Sequence, residues 1–116
     1  MHAEIISIGS ELTTGAKLDT NSQWLSRELA GIGITVNYHT TGADDLAANV
    51  AVLAAAVDRA DVVLITGGLG PTQDDLTREA IAEMLAVPLQ LHEPSLEFIR
   101  GLFASRNREM PERNRV

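Results

Sequence analysis

The residues best suited to chemistry lie in TGGLGPTQDDLT, Thr66 to Thr77, directly after the apolar run Val62-Val63-Leu64-Ile65. Gly67, Gly68 and Gly70 open backbone torsions closed to other residues and, lacking side chains, let a ligand come close to the main chain. Amides at the start of the helix expected to follow have no intrahelical partners and carry partial positive charge. Together these features make a seat for an anion such as phosphate. The stretch is neither a P-loop, because the GK[ST] ending is missing and Lys17 is the only lysine, nor a G-x-G-x-x-G turn. A phosphate held here would rely on main-chain amides, the hydroxyls of Thr66 and Thr72, and a cation.

Two adjacent aspartates beside an anion seat have two explanations. Asp74 and Asp75 can cap the helix and favour its dipole, an ordinary use of aspartate in a first turn. They can also recruit a divalent metal that bridges carboxylate and phosphate oxygens, since magnesium typically takes one or two carboxylates plus substrate phosphates. The metal reading gains weight if Glu11, Asp44 and Asp45 share the same edge of the molecule. Whether they do depends on the elements that carry them.

Glu4 to Ile8 is a short apolar run closed by Gly9 and reads as a buried strand. Trp24, Leu25 and Leu29 fall on one face of a helix from Asn21 to Ala30, capped by Thr20 or Asn21 and stopped by Gly31 and Gly33. Trp24 on that face is expected in the core or at a subunit contact. Ile34 to Tyr38 alternates as a second strand. Asp44 and Asp45 open a helix with Leu46, Val50, Leu53 and Val57 at helical intervals. Asp61 to Thr66 is a third strand whose unbroken apolar run predicts burial on both faces. A helix from about Asp74 to Leu85 turns Leu76, Ala80, Ile81, Met84 and Leu85 inward, Val87 to Leu91 reads as a short strand, and a last helix runs from Pro94 toward Arg106 with Leu96, Ile99 and Phe103 on one face.

This alternation predicts a three-layer α/β/α fold around a mostly parallel sheet, because parallel neighbours require crossover helices. In such a sheet the loops leaving the carboxyl ends of the strands lie on one edge, and ligands bind there, where strand order reverses. Gly9 to Gly15, Thr40 to Asp45 and Thr66 to Asp75 then meet, and Glu11, Asp44, Asp45, Asp74 and Asp75 share a rim.

Composition narrows the class. The chain of 116 residues is 45% hydrophobic and 22% charged, as in a packed domain. There is no apolar segment long enough to span a bilayer and no signal-peptide pattern, so the expectation is a cytoplasmic protein without a membrane partner. Cysteine is absent, which removes disulfides and thiolate chemistry. The net charge of −7 is uneven: five arginines crowd into the residues from Arg100 onward, leaving an acidic body that argues against nucleic acid. The basic end, RNREMPERNRV, reads as a solvated helix end or loop, and the chain stops without a terminating signal, as expected of a domain cut before its end. His39 reads as structural, His92 before Glu93 and Pro94 as a helix entry, and no aromatic stacking surface is evident.

GGLGPTQDDLTREA resembles the signature of the molybdenum-cofactor-biosynthesis-like, or molybdopterin-binding-like, domain, and IGSELTTGAKLDTNSQWL together with GGLGPT resembles the N-terminal part of the competence/damage-inducible CinA family. The resemblance covers essentially the whole chain. It implies an ADP-ribose pyrophosphatase in nicotinamide nucleotide salvage, often joined to a nicotinamide-mononucleotide deamidase domain, in cis or in trans, and assembled as a homo-oligomer. By position it implies phosphate contacts from Gly67, Gly68 and Gly70. Asp44 and Asp75 become the acidic pair for a divalent metal, magnesium first with manganese or cobalt as substitutes and a monovalent cation as a further candidate. Glu11 and Asn21 then line the nucleotide pocket with Gly9, Ser10, Thr66, Thr72 and Asp74, and Glu11 is a candidate for orienting water. Two departures stand out: Gly42-Ala43-Asp44-Asp45 lacks a glycine next to the acid, and Gln73 stands where relatives often place a basic residue. Two other functions fit the same pocket: adenylylation of molybdopterin, and a non-catalytic module that senses a nucleotide.

Overall fold

The computed structural model describes residues 1–106 and 110–111. Three parallel strands, β1 (His2–Ile8), β2 (Thr35–Gly42) and β3 (Val62–Thr66), form a sheet in the order β2-β1-β3. β1 is central, so Ala3 to Ile8 are all buried, whereas β3 is half-buried along its length rather than buried on both faces. β2 runs to Gly42, four residues beyond the alternating segment, because its backbone pairs with β1 as far as Ile8.

Helices α1 (Ser10–Thr13), α2 (Thr20–Gly31), α3 (Leu46–Arg59), α4 (Thr77–Leu85) and α5 (Glu93–Ser105) connect and follow the strands. Side chains alternate across β1. Ile6 and Ile8 pack with Leu53 and Ala56 of α3 and Ala80 of α4 on one face, and Ser7 meets Ser22 of α2 on the other. This is the three-layer α/β/α arrangement. Burying an isoleucine such as Ile6 completely stabilises the fold by about 1.5–3 kcal/mol.

Several expectations from periodicity are corrected. Of the two places expected for Trp24, the core is ruled out, since it is 61% exposed and Ser22 is the residue α2 buries; a subunit contact remains open to it. In α3 the buried residues are Asn49, Leu53 and Ala56, and Val57 faces outward. Val87 to Leu91 is not a strand: no neighbour pairs with it, and Val87, Leu89 and Leu91 are exposed. Leu96, Ile99 and Phe103 form the inner side of α5, as their spacing predicts. Most of the basic tail, residues 107–109 and 112–116, lies outside the described residues.

Away from the glycine loop, near the start of β1, Glu4 is wholly buried. One of its oxygens accepts from Arg59 Nε at 2.7 Å and the other from Thr40 Oγ1 at 3.1 Å. The Arg59 guanidinium also lies 3.7 Å over the Tyr38 ring, a cation–π contact. The bond to Glu4 raises the Arg59 pKa further, against desolvation. Removing the partner of a buried charge costs far more than replacing both. Arg59→Met, which strands the buried Glu4 carboxylate, is therefore expected to lower stability in urea denaturation, and Glu4→Leu in the same chain to recover most of the loss.

Candidate functional site

The strand order β2-β1-β3 puts the reversal of direction between the carboxyl ends of β1 and β3, where Gly9-Ser10 and the glycine loop leave the sheet. The two loops are tightly packed. Gly67 has φ 87°, and a Cβ there would collide with the Ile8 carbonyl oxygen, so glycine lets the chain leaving β3 pass the end of β1. Gly68 has φ 66°, and a Cβ there would strike Thr77 Oγ1. That hydroxyl donates to the Gly67 carbonyl at 2.7 Å, and the Thr77 amide donates to the Gly68 carbonyl at 3.2 Å.

The helix after the loop begins at Thr77, three residues later than its composition suggests, and its N-cap is Leu76 with no side-chain cap. Asp74 and Asp75 therefore cap nothing. The Asp75 amide donates to the Thr72 carbonyl at 3.1 Å, so TQDD is a turn before the helix. The first helical amide donates to the Gly68 carbonyl, and the TQDD turn lies where the sequence predicts a seat for an anion.

That seat is occupied by Asp75. Its Oδ2 accepts from the Thr72 amide at 3.0 Å and from Thr72 Oγ1. A Cβ on Gly70 would lie 2.7 Å from the same oxygen, so glycine admits the carboxylate. The Thr72 hydroxyl, then the Thr72 amide, with smaller help from the Gly70 main chain and the Arg78 charge, hold the Asp75 pKa below the ordinary aspartate range despite some desolvation. Asp74 beside it is exposed.

The second acidic candidate behaves alike. Asp44 Oδ2 accepts from the Ser10 amide at 3.2 Å, and the Asp44 amide donates to Ser10 Oγ at the same distance. This reciprocal clasp, with Gly9 N donating to Gly42 O at 2.9 Å, ties the loop after β1 to the loop after β2. The exposed Glu11 turns its carboxylate back over Gly9, 2.6 Å from where a Cβ would stand. Asp45 is the N-cap of α3, accepting from Ala48 N at 2.8 Å. Asn21, exposed on the first turn of α2, is not its cap; Asp19 is.

Residues that periodicity does not single out complete the site. Asn49 is fully buried, donates to the Ala43 carbonyl at 2.9 Å and presses its unpartnered Oδ1 against Gly42, so glycine is required there instead of beside Asp44. Under α2, Ser22 Oγ donates to Asp19 Oδ2 at 2.6 Å. Its only hydrogen is thereby used, so Ser7 Oγ must donate to Ser22 at 2.8 Å, and Ser7 in turn receives a long contact from Thr66 Oγ1 at 3.5 Å. The hydroxyl hydrogens of Thr66 and Thr72 thus both point at protein acceptors. The i,i+3 spacing of Asp19 and Ser22 was the readable signal for the cap.

Burial raises the Asp19 pKa, but the hydroxyls of Ser22 and Ser7, the Ser22 amide and the charge of His39 together outweigh it and the net shift is downward. A depressed folded-state pKa gives stability that is present above the unfolded value and lost as pH falls through the folded one. Thermal melts of the chain are accordingly expected to drop on acidification below about pH 4. Asp19→Asn, which keeps an N-cap oxygen, should flatten that drop.

Among the described residues no three acids or histidines gather as a metal cage, and no helix is long and apolar enough to cross a membrane. Asp44 and Asp75 each rest on a main-chain amide, of Ser10 and Thr72, and Glu11 turns back over Gly9.

Comparison with known proteins places this geometry. Residues 4–111 match the family described as probable molybdopterin binding domain. A CinA-like protein of Thermomicrobium roseum is 49% identical over 114 residues, which is 98% of this chain and 28% of that protein. The same share of a Desulforamulus reducens protein bearing the competence-damage inducible name is matched at 50% identity. The chain thus spans less than a third of the length of these curated relatives. Among solved structures, CinA from Thermoplasma acidophilum superposes with a TM-score of 0.88 at 29% identity, over 97% of this chain and 66% of that one. The molybdopterin biosynthesis enzyme MoaB from Thermus thermophilus gives 0.66 at 27%, over 71% and 53%. With its match across residues 4–111 and CinA-like relatives over nearly its whole length, the chain belongs to the probable molybdopterin binding domain family.

Proposed function

We propose that this domain binds a nucleotide diphosphate sugar at the β1/β3 rim and hydrolyses its pyrophosphate bond with the aid of a divalent metal, ADP-ribose being the substrate class. The observation that carries the reading is that Asp44 and Asp75 are each held on a main-chain amide at the point where strand order reverses. Such a rim binds anions through amides and cations through carboxylates. The nucleotide is favoured over other phosphates by the resemblance of IGSELTTGAKLDTNSQWL to the CinA family, which implies an ADP-ribose pyrophosphatase.

In this reading the amides around Gly70 and Thr72 bind one phosphate, and Asp44 and Asp75 would hold the cation. A divalent ion there supplies neutralisation of the phosphoryl charge and polarises the phosphoryl oxygen. Glu11, folded over Gly9, orients a water molecule toward the phosphorus and accepts its proton. Water adds across the P–O–P linkage, giving AMP and ribose 5-phosphate. Thr66, its hydrogen turned inward, offers lone pairs to a donor on the ligand and does not itself donate to phosphate.

A second reading is supported by the likeness to MoaB and by the family description: the same seat holds the phosphate of molybdopterin while ATP adenylylates it. The chain's share of its relatives' length suits a third, a nucleotide-sensing module working with a nicotinamide-mononucleotide deamidase domain in a cytoplasmic homo-oligomer. Chromatography of reactions containing ADP-ribose with and without magnesium separates these. AMP and ribose 5-phosphate formed only with the metal support hydrolysis, an adenylylated pterin formed from molybdopterin and ATP supports the second reading, and binding without turnover supports the third.

A further inference from the structure

Behind the rim runs a line of polar side chains that the proposed reaction does not use. Ser7, wholly buried near the end of β1, is paired in register with Thr66, the last residue of β3. Ser22 in the first turn of α2 is also buried, and Asp19 is the N-cap of the same helix. The line runs from Thr66 Oγ1 to Ser7 Oγ at 3.5 Å, on to Ser22 Oγ at 2.8 Å, and from there to Asp19 Oδ2 at 2.6 Å.

Its last member sets the direction of every hydrogen. Burial pushes the Asp19 pKa up, but the hydroxyls of Ser22 and Ser7, the Ser22 amide and the charge of His39 outweigh it, so at neutral pH the line ends on a carboxylate. A carboxylate only accepts, and a hydroxyl has a single hydrogen to give. Ser22 therefore donates to Asp19 and Ser7 to Ser22. Ser7 then presents only lone pairs to Thr66, so Thr66 must be the donor in their contact. What remains on the half-buried Thr66 oxygen is acceptor capacity alone.

We infer that Asp19 is a positioning residue for ligand choice: acting through Ser22 and Ser7, it fixes the Thr66 hydroxyl as an acceptor at the rim, so that Thr66 selects a hydrogen-donating group of the ligand and disfavours a phosphate oxygen. The identity of the ligand rests on the proposed function, in which the donor is a sugar hydroxyl of the nucleotide. The direction of the hydrogens does not.

Asp19→Asn reverses the line without shortening it. Its Oδ1 keeps the cap on the Ser22 amide, now 3.1 Å away, which puts the amide nitrogen, a donor, where Oδ2 accepted. Ser22 must then donate to Ser7, Ser7 to Thr66, and Thr66 is left to donate outward. Neutron diffraction from crystals of the chain and of this variant at neutral pH reads the hydrogens directly. They should point toward residue 19 in the unmodified chain and away from it in the variant. The same direction in both overturns the inference. Should the variant fail to fold, the unmodified chain decides alone, because a Thr66 hydrogen turned away from Ser7 contradicts it.

The effect on ligand choice is read by calorimetry with ADP-ribose and a chelator, which prevents turnover. Asp19→Asn and Thr66→Val are each expected to weaken binding about five-fold, the worth of one neutral hydrogen bond. The double variant should lose no more than either alone, since both changes remove the same acceptor. Unchanged affinity in Asp19→Asn, or losses that multiply in the double variant as a general effect on the fold would, overturns the inference. If the unmodified chain binds no ADP-ribose, the proposed function fails and the hydrogen positions alone decide.

Discussion

Asp75→Asn is expected to abolish metal-dependent AMP release from ADP-ribose, lowering turnover on the order of a hundred-fold or more, the scale seen when a group that stabilises transition-state charge is lost. The substitution removes a full negative charge from a carboxylate that now lies within the phosphate seat, and the amide that replaces it is a poor ligand for a hard cation. A merely structural aspartate would lower stability along with turnover. Melting curves of the variant, read beside the kinetics, separate that case, and turnover that survives the substitution would remove Asp75 from the metal site.

The second large effect concerns the fold of the rim. Gly67→Ala should cost roughly 2–5 kcal/mol, the sum of a left-handed alanine and an atom forced against backbone. At φ 87° the added Cβ meets the Ile8 carbonyl oxygen, which belongs to the central strand and cannot swing aside as a side chain would. For a domain whose total stability is about 5–15 kcal/mol, such a loss removes a large share of the margin. Gly101→Ala is the matched control. Gly101 lies within α5 with nothing near the position of a Cβ, so alanine there is expected to stabilise by about 0.5–1 kcal/mol. Urea denaturation of the two variants checks both signs.

The parallel sheet and its crossover helices were legible from alternation and spacing, because a buried central strand such as Glu4 to Ile8 and helices such as Leu46 to Arg59 carry strong local patterns. Local pattern failed where a distant partner decides. The TQDD segment has helix-start composition, yet Thr72 captures the Asp75 carboxylate and delays α4 to Thr77. Trp24 has helical spacing with Leu25 and Leu29, but it is Ser22 of α2 that meets the sheet, at Ser7. Val87 to Leu91 has strand composition without a neighbour to pair with, and composition alone cannot supply one.

The glycines teach a similar lesson. Their sequence pattern suggests openness toward a ligand, whereas each is fixed by a specific protein atom: Ile8 O at Gly67, Thr77 Oγ1 at Gly68, Asp75 Oδ2 at Gly70, Asn49 Oδ1 at Gly42. The loop is thus shaped by steric necessity first. Asn49 and the Thr66–Ser7–Ser22–Asp19 hydroxyl chain escaped notice because buried polar residues give no periodic signal.

The account turns on where the phosphates go, and a crystal structure of the chain with ADP-ribose and magnesium measures that directly. The expected result is a phosphate oxygen on the Thr72 amide beside Gly70, with the Asp75 carboxylate turned off Thr72 and facing the ion together with Asp44. A diphosphate bound elsewhere, with Asp75 still on Thr72 and Asp44 still on Ser10, would contradict it.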